Sequence, residues 1–362
     1  MDSFDVFRAD GHERKEWLEL LESWPGREVF AHPDYLSLYA GVGETPICAV
    51  YRCSEGQVIY PLVLRDLGAT PFWGPDRDKL HDAISPPFGY GGPFVDGPGD
   101  RGALIGRFFK EYEHWASSRH LVAEYLTLSP KDGADVAYPG ELTIRAPSVV
   151  RMLAGSADQI WSDYKGSVRT DVRTAQRAGV TVELDRCGQR LEDFLDIYAD
   201  MMARRQAPAR YAMSRRFVER LNGALPGHYV YCHALLDGRV VSTELALLSA
   251  DSTFFFRGAT RVDASRARPN HLLKHALILW SLDQGKRFYL LGGGVAADDS
   301  LYRYKLAFAP GGARPLRVGK WIVNHARYDE LVAARGAYER ARGFEWAPAP
   351  DYFPVYRAPH EQ

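Results

Sequence analysis

The stretch YVYCHALLDGRVVSTELALLSADSTFFFRGAT, residues 229–260, reads as three consecutive strands. The runs 229–236, 239–248 and 253–260 are rich in Val, Leu, Tyr and Phe, and they break at Asp237-Gly238 and at Ala250-Asp251-Ser252. Asp-Gly favours a two-residue hairpin because both residues tolerate the positive φ that a type I′ turn demands. The segment is therefore an antiparallel meander, and its flanks decide the class. Upstream, a helix over 157–178 stops at Gly179, a strand follows at 181–184, and two helices cover 190–206 and 214–223. Downstream, Asn270 caps an apolar helix over 271–283. KRFYLLGGG at 286–294 is a buried strand with a glycine turn, and a short helix at 300–308 and a strand at 316–323 close the half.

The first half runs in the same order. A strand at 3–9 precedes helices at 14–23 and 33–40, then a hairpin of 45–52 and 58–67 around Ser54-Glu55-Gly56. A connection rich in Gly and Pro spans 68–99, followed by a helix at 101–118 and a strand at 124–129. Helices and a mixed sheet, repeated, predict an α/β (α+β, mixed-sheet) chain of two domains, 1–148 and 149–347, with the boundary near 146–150 after Ala146-Pro147. The proline-rich tail 348–362 is expected to lie extended on the surface.

Composition narrows the class. At 46 % hydrophobic and 25 % charged residues, the chain has the balance of a folded protein. It contains no apolar run of membrane-spanning length, and its start, MDSFDVFRADGHERKEW, has neither a basic nor an apolar leader region, so a cytoplasmic protein is expected. Cys48, Cys53, Cys187 and Cys232 form no C-x-x-C pair and stand at no metal-ligand spacing, which points to neither disulfides nor zinc. A net charge of −1 leaves polyanion binding to local patches. Two patches stand out: Lys165, Arg169, Arg173 and Arg177 at every fourth residue, and Arg204, Arg205, Arg210, Arg215, Arg216 and Arg220 in the next helical stretch. Either they are solvated helix surface or they face an anionic partner.

Several segments, taken in order and spacing, resemble the FemABX family of tandem-GNAT aminoacyltransferases and its relatives described as FemAB-like or BioF2-like acetyltransferases. They are SPPFGYGGPF (85–94), IWSDYKGSVRTDVRTAQRAGVTVE (160–183), YADMMARRQAPARYAMSRRF (198–217), FFFRGAT (254–260), the LLGGG turn and LYRYKLAF (301–308). The resemblance implies two tandem GNAT-like domains with the active site in the second. It implies amide formation, without a cofactor, from an aminoacyl-tRNA donor to the amine of a peptide-like or small-molecule acceptor, such as a cell-wall precursor or a specialised metabolite. It places the functional lysine at Lys305 and substrate contacts at Arg204, Arg205, Tyr211, Arg257, Tyr304, Gly292 and Gly293. Lys165, Arg169, Arg173, Arg215 and Arg216 would meet the tRNA. One feature of some family members is missing, since no long charged heptad segment is present to form a coiled-coil arm.

The chemistry has demands of its own. Amide formation from an ester or thioester passes through a tetrahedral oxyanion, which a fixed cation or donor must meet. Lys305, among aromatic and apolar residues, suits that task, and its structural alternative is a lysine snorkelling from a helix. GNAT enzymes that use coenzyme A hold its pyrophosphate on an R/Q-x-x-G-x-G/A loop at a helix N-terminus. The corresponding Arg266-Ala267-Arg268-Pro269-Asn270-His271 has no glycine, and Pro269 supplies no N–H, which favours a different donor. Glu244, the one acid in RVVSTELALL, is either an inward general base or an outward side chain, because strand parity is open at this stage. Arg204 either binds an anion or pairs with Asp200. His271 and His275, one turn apart without a third ligand, read as structural. An acyl-CoA-dependent N-acyltransferase and a non-catalytic tandem-GNAT ligand-binding module are the alternatives to the aminoacyl transferase.

Overall fold

The computed structural model describes residues 2–131, 136–294 and 299–359; positions 360–362 of the tail lie outside the described residues. The elements run β1 (Ser3–Arg8), α1 (Arg14–Ser23), α2 (Pro33–Ser37), β2 (Glu44–Cys53), β3 (Gly56–Asp66), β4 (His81–Ile84), β5 (Phe94–Asp96), α3 (Arg101–Ser118), β6 (Leu121–Thr127) and β7 (Glu141–Met152). They continue with α4 (Ala157–Asp163), α5 (Gly166–Arg177), β8 (Thr181–Asp185), α6 (Leu191–Arg204), α7 (Arg215–Ala224), β9 (Tyr229–Leu236), β10 (Arg239–Leu248) and β11 (Ser252–Thr260). The last are α8 (Pro269–Asp283), β12 (Phe288–Gly292), α9 (Ser300–Ala307), β13 (Ala313–Ile322) and α10 (His325–Ala341). Among the described residues no helix is long and apolar enough to cross a membrane.

Two compact units form. The first holds Met1–Pro25, Phe30–Arg145 and Leu316–Gln362, and the second Gly26–Val29 and Ala146–Pro315. The sheet order is β1-β2-β3-β4-β6-β13 in the first unit and β8-β9-β10-β11-β12-β7 in the second. In each, an antiparallel set is followed by a single parallel pair, β4 with β6 or β11 with β12, and then by an antiparallel closing strand. The expected tandem repeat is thus present, with one change. The strand closing the first sheet is β13, from the end of the chain, and the strand closing the second is β7, which follows β6. Residues 316–347, expected in the second domain, accordingly pack in the first unit.

Three further local differences have physical causes. The connection 68–99 contains the short strands β4 and β5, whose brevity among Gly and Pro leaves no periodic signal. The helix expected over 157–178 is two: Tyr164 and Lys165 are extended, with ψ of 148° and 147°. Buried Tyr164 packs on Phe308 and His275, and the Lys165 N–H donates to the Ala307 carbonyl at 3.0 Å, which pins the chain between the helices. The tail does not simply lie on the surface. Tyr356 is fully buried, and Arg357 pairs at 2.7 Å with buried Asp82, which also receives Arg65 at 2.6 Å.

The meander forms as its sequence predicts. Asp237 and Gly238 take φ of 50° and 76°, and Arg239 pairs with Leu236 across a two-residue turn. Helix α8 covers one face of this sheet, burying Leu272, Leu273, Leu277 and Ile278 with Val230, Ala246 and Tyr289. Ile197 and Tyr198 of α6 pack with Val240 and Ala259 in a separate cluster. Burying a Leu or Ile side chain contributes about 1.5–3 kcal/mol each, so the two helix layers hold the strand ends between them firmly.

Candidate functional site

The parallel strands β11 and β12 pair only over Ser252–Phe254 and Phe288–Leu290, although β11 runs on to Thr260 and β12 to Gly292. Where they part, β11 carries a bulge: Leu245 of β10 faces Arg257 and Ala246 faces Phe255, so Phe256 is the extra residue. The divergence takes main-chain groups out of the ladder, and two side chains meet them. Lys305 Nζ donates to the Gly293 carbonyl at 2.7 Å, and Arg257 Nη1 donates to the Phe256 carbonyl at 2.7 Å.

The turn after β12 depends on its glycines. Gly292 has a φ of 75°, in the left-handed region, and a Cβ on Gly293 would stand 2.8 Å from the Pro147 carbonyl oxygen. These two expected substrate contacts therefore have a conformational role in the structure: they shape the turn that presents the Gly293 carbonyl to Lys305.

Lys305, on α9, is 5 % exposed. Its Nζ lies 4.9 Å from the Phe255 ring centroid, and burial, followed by the nearby Lys274 cation, pushes its pKa down to about 7 against the opposing pull of Glu244 and Asp299. Lys274 projects from α8 over the same ring at 4.1 Å and is tied to Glu244 at 2.6 Å. Tyr289 of β12 also donates to Glu244. Strand parity is thereby settled: Glu244 points inward, toward α8, and is 3 % exposed. Both carboxylate oxygens are engaged, which removes Glu244 as an accessible general base and makes it the counterion of Lys274. Tyr304 is half-buried, and its hydroxyl donates to the Asn270 carbonyl at 3.3 Å.

The other expected contacts lie elsewhere on the sheet. Because neighbours on a strand point to opposite faces, Leu245, the partner of Arg257, faces away from Glu244. Arg257 sits beside Tyr211, 5.9 Å from its ring centroid, and the Tyr198 hydroxyl of α6 donates to the Tyr211 carbonyl at 2.8 Å. Arg204 is exposed and takes the structural alternative, with Asp200 at 3.6 Å and the Thr260 carbonyl at 3.5 Å; Arg205 is the exposed C-cap of α6. The structure thus brings together Lys305, Glu244, Tyr304, Gly292 and Gly293, and separately Arg257 and Tyr211 with Arg204 nearby.

Of the basic residues, Lys165 and Arg173 are exposed, and Arg173 lies over the Trp161 ring. Thr170, Arg173, Gln176 and Arg177 share one open face of α5. Arg169 is turned inward: it donates to the carbonyls of Ser162 and Tyr164 and so caps α4. Arg215 is engaged by Glu192 and Glu219, and Arg216 is exposed.

At the start of α8, Arg268 and His271 both meet Asp171 of α5, each at 3.3 Å. The basic side chains where a pyrophosphate would sit in a coenzyme A enzyme already hold an internal carboxylate. His275 packs edge-on to Tyr164 and tilted against Trp161, and burial pushes its pKa down to about 4. No group of three or more His, Cys, Asp or Glu among the described residues is arranged to hold a metal. Lys274, Tyr289 and Asp171 escaped the sequence reading. The signal for Lys274 was available: it is the charged residue within the apolar run HLLKHALILW.

Comparison with known proteins agrees with this architecture. Residues 162–306 match the family model described as acetyltransferase (GNAT) domain. A structure of FemX superposes with a TM-score of 0.64 at 13 % identity, over 90 % of this chain and 99 % of that one. The C-terminal DUF2156 domain of a protein from Agrobacterium fabrum gives 0.51 at 12 % identity over 90 % and 96 %. L-PGS from Bacillus licheniformis gives 0.50 at 10 % over 91 % and 98 %. No curated protein sequence matches. The chain therefore has the FemX-like fold anticipated from its segments, and residues 162–306 of its second unit are similar to a GNAT domain.

Proposed function

We propose that the protein is a cytoplasmic aminoacyltransferase that takes an activated aminoacyl group from aminoacyl-tRNA and joins it to an amine of a peptide-like or small-molecule acceptor. The observation that carries this reading is Lys305, buried where β11 and β12 diverge and set beside the freed Gly293 carbonyl. An acyl carbonyl entering the opening would find a lysine, a bulged strand and apolar walls, so that charge developing on its oxygen is met in a dry place. Arg257 and Tyr211, with Arg204 at the rim, would hold the acceptor, since a guanidinium beside a phenol suits a phosphate or carboxylate. Lys165, Arg173, Arg177 and Arg216, exposed and basic, would contact the tRNA backbone.

Two observations separate the donors. The GNAT domain match favours acyl-CoA as a second reading. Against it, the turn before α8 has Pro269 at its first helical position and Asp171 on its basic side chains. The test is transfer of carbon-14 amino acids from charged tRNA, with and without RNase, beside the same assay with acyl-CoA donors. Transfer that RNase abolishes is the expected result, and transfer supported by acyl-CoA alone overturns the tRNA donor.

A further inference from the structure

Glu244, Lys274 and Tyr289 lie behind Lys305, and the contacts made so far assign them no work in the transfer itself. Two lysines and one carboxylate share a pocket closed by Phe255: Lys274 is 3 % exposed, Glu244 3 % and Lys305 5 %. The geometry gives the carboxylate to Lys274, through both oxygens at 2.6 and 2.7 Å. Tyr289 adds a third hydrogen bond to the same group. Lys305, by contrast, has a main-chain carbonyl as its hydrogen-bond partner and forms no ion pair among the described residues. Two ammonium groups taken out of water with one counterion cannot both stay charged cheaply, and the one without the carboxylate is the one that gives up its proton. The groups facing Lys305 are Lys274 from α8, Glu244 from β10, Phe255 from β11 and Asp299 at the start of α9.

We propose that Lys274, fixed by Glu244 and Tyr289, is a positioning residue that keeps Lys305 an uncharged amine, so that Lys305 is the proton acceptor for the incoming nucleophile. This rests on the acyl-transfer reading of the site. The acceptor's neutral amine attacks the ester carbonyl carbon, the C–N bond forms, and the carbonyl electron pair moves to oxygen. The attacking nitrogen, now cationic, passes a proton to Lys305 Nζ. The new ammonium stands beside the oxyanion, and as the C–O bond breaks it returns that proton to the departing hydroxyl oxygen. Lys305 ends as it began, and Glu244 neither gives nor takes a proton. A lysine held near neutrality chiefly by burial, with a neighbouring cation adding to it, can act as a general base at neutral pH.

The experiment is a lysine side-chain titration by carbon-13 NMR, with the Lys305 resonance assigned through Lys305→Arg. Wild type is compared with Lys274→Arg, Lys274→Met and the double variant Glu244→Gln/Lys274→Met, which removes the buried Lys274–Glu244 pair as a whole. Lys305 should titrate near pH 7 in wild type. It should stay close to neutrality with arginine at 274 and rise by about one unit or more in Lys274→Met, where Glu244 keeps its charge; in the double variant, which removes one cation and one anion together, it should move less. The acid limb of the kcat–pH profile should move with it. A midpoint that ignores the charge at 274, or an acid limb that stays put while the midpoint moves, overturns the proposal. If the midpoint is unmoved yet Lys305→Met abolishes transfer, the acyl-transfer reading stands and only the part given to Lys274 falls.

Discussion

At the scale of single residues, Lys305 ties function to stability through its proton. Its folded pKa is pushed down to about 7 from 10.5, chiefly by burial. Between those values the unfolded chain binds a proton that the folded protein does not, so folding stability gains as pH rises through that window, by about 1.4 kcal/mol per unit. Below pH 7 both states are protonated and the full cost of burying the charge is present. Lys305→Met removes that cost. The variant should therefore be more stable than wild type at pH 7 and lose its advantage as pH approaches 10.5, which urea midpoints at pH 7, 8.5 and 10 will show; parallel pH dependences would refute it. Glu244→Gln acts in the opposite sense. It leaves Lys274 buried without its carboxylate and should cost about 3–5 kcal/mol, read as a lowered urea midpoint at pH 7. Glu244 was visible as an acid in an apolar strand, but its partner lies thirty residues away on another element, and no local pattern reports an ion pair of that kind.

At the scale of elements, the meander was legible because Asp237-Gly238 dictates its own turn, and α8 was legible from its apolar run, although it starts at Pro269 with Arg268 as its N-cap and not at the expected cap Asn270. The break at Tyr164 and Lys165 was not. It depends on Tyr164 fitting against Phe308 and His275, which come from elsewhere in the chain. The break changes the expectation for the basic stripe. Arg169 caps α4, so Arg169→Ala should lower the thermal midpoint while leaving RNA affinity within about twofold, the loss of a cap being worth about 1 kcal/mol. Arg173 stands on the open face of α5, and Arg173→Ala should weaken RNA binding and reduce the salt slope by about one. Filter binding of charged tRNA across a salt series distinguishes the two variants. The turn after β12 makes a similar demand: Gly292→Ala forces a left-handed φ on alanine and should cost about 1–2 kcal/mol, seen as a loss of thermal stability.

At the scale of the whole molecule, the tandem order of elements was readable from strand and helix periods in each half. The exchange of closing strands was not, because which sheet a strand joins is settled by pairing across long sequence separations. The boundary drawn at 146–150 cuts the chain where composition changes, yet β13, α10 and the tail belong to the first unit, where Val318–Ile322 pair with β6 and Arg357 meets Asp82. A fragment 1–148 should therefore fail to fold alone, while co-expression with 316–359 restores protection from proteolysis; a stable 1–148 fragment would contradict this division. The central claim is that acyl transfer takes place at Lys305 in the opening between β11 and β12, and single-turnover transfer by Lys305→Met tests it most directly. The account predicts a rate at least about 100-fold below wild type, with the donor bound as tightly as before. A rate within about threefold of wild type, less than the 1 kcal/mol that a single contact is worth, would contradict it.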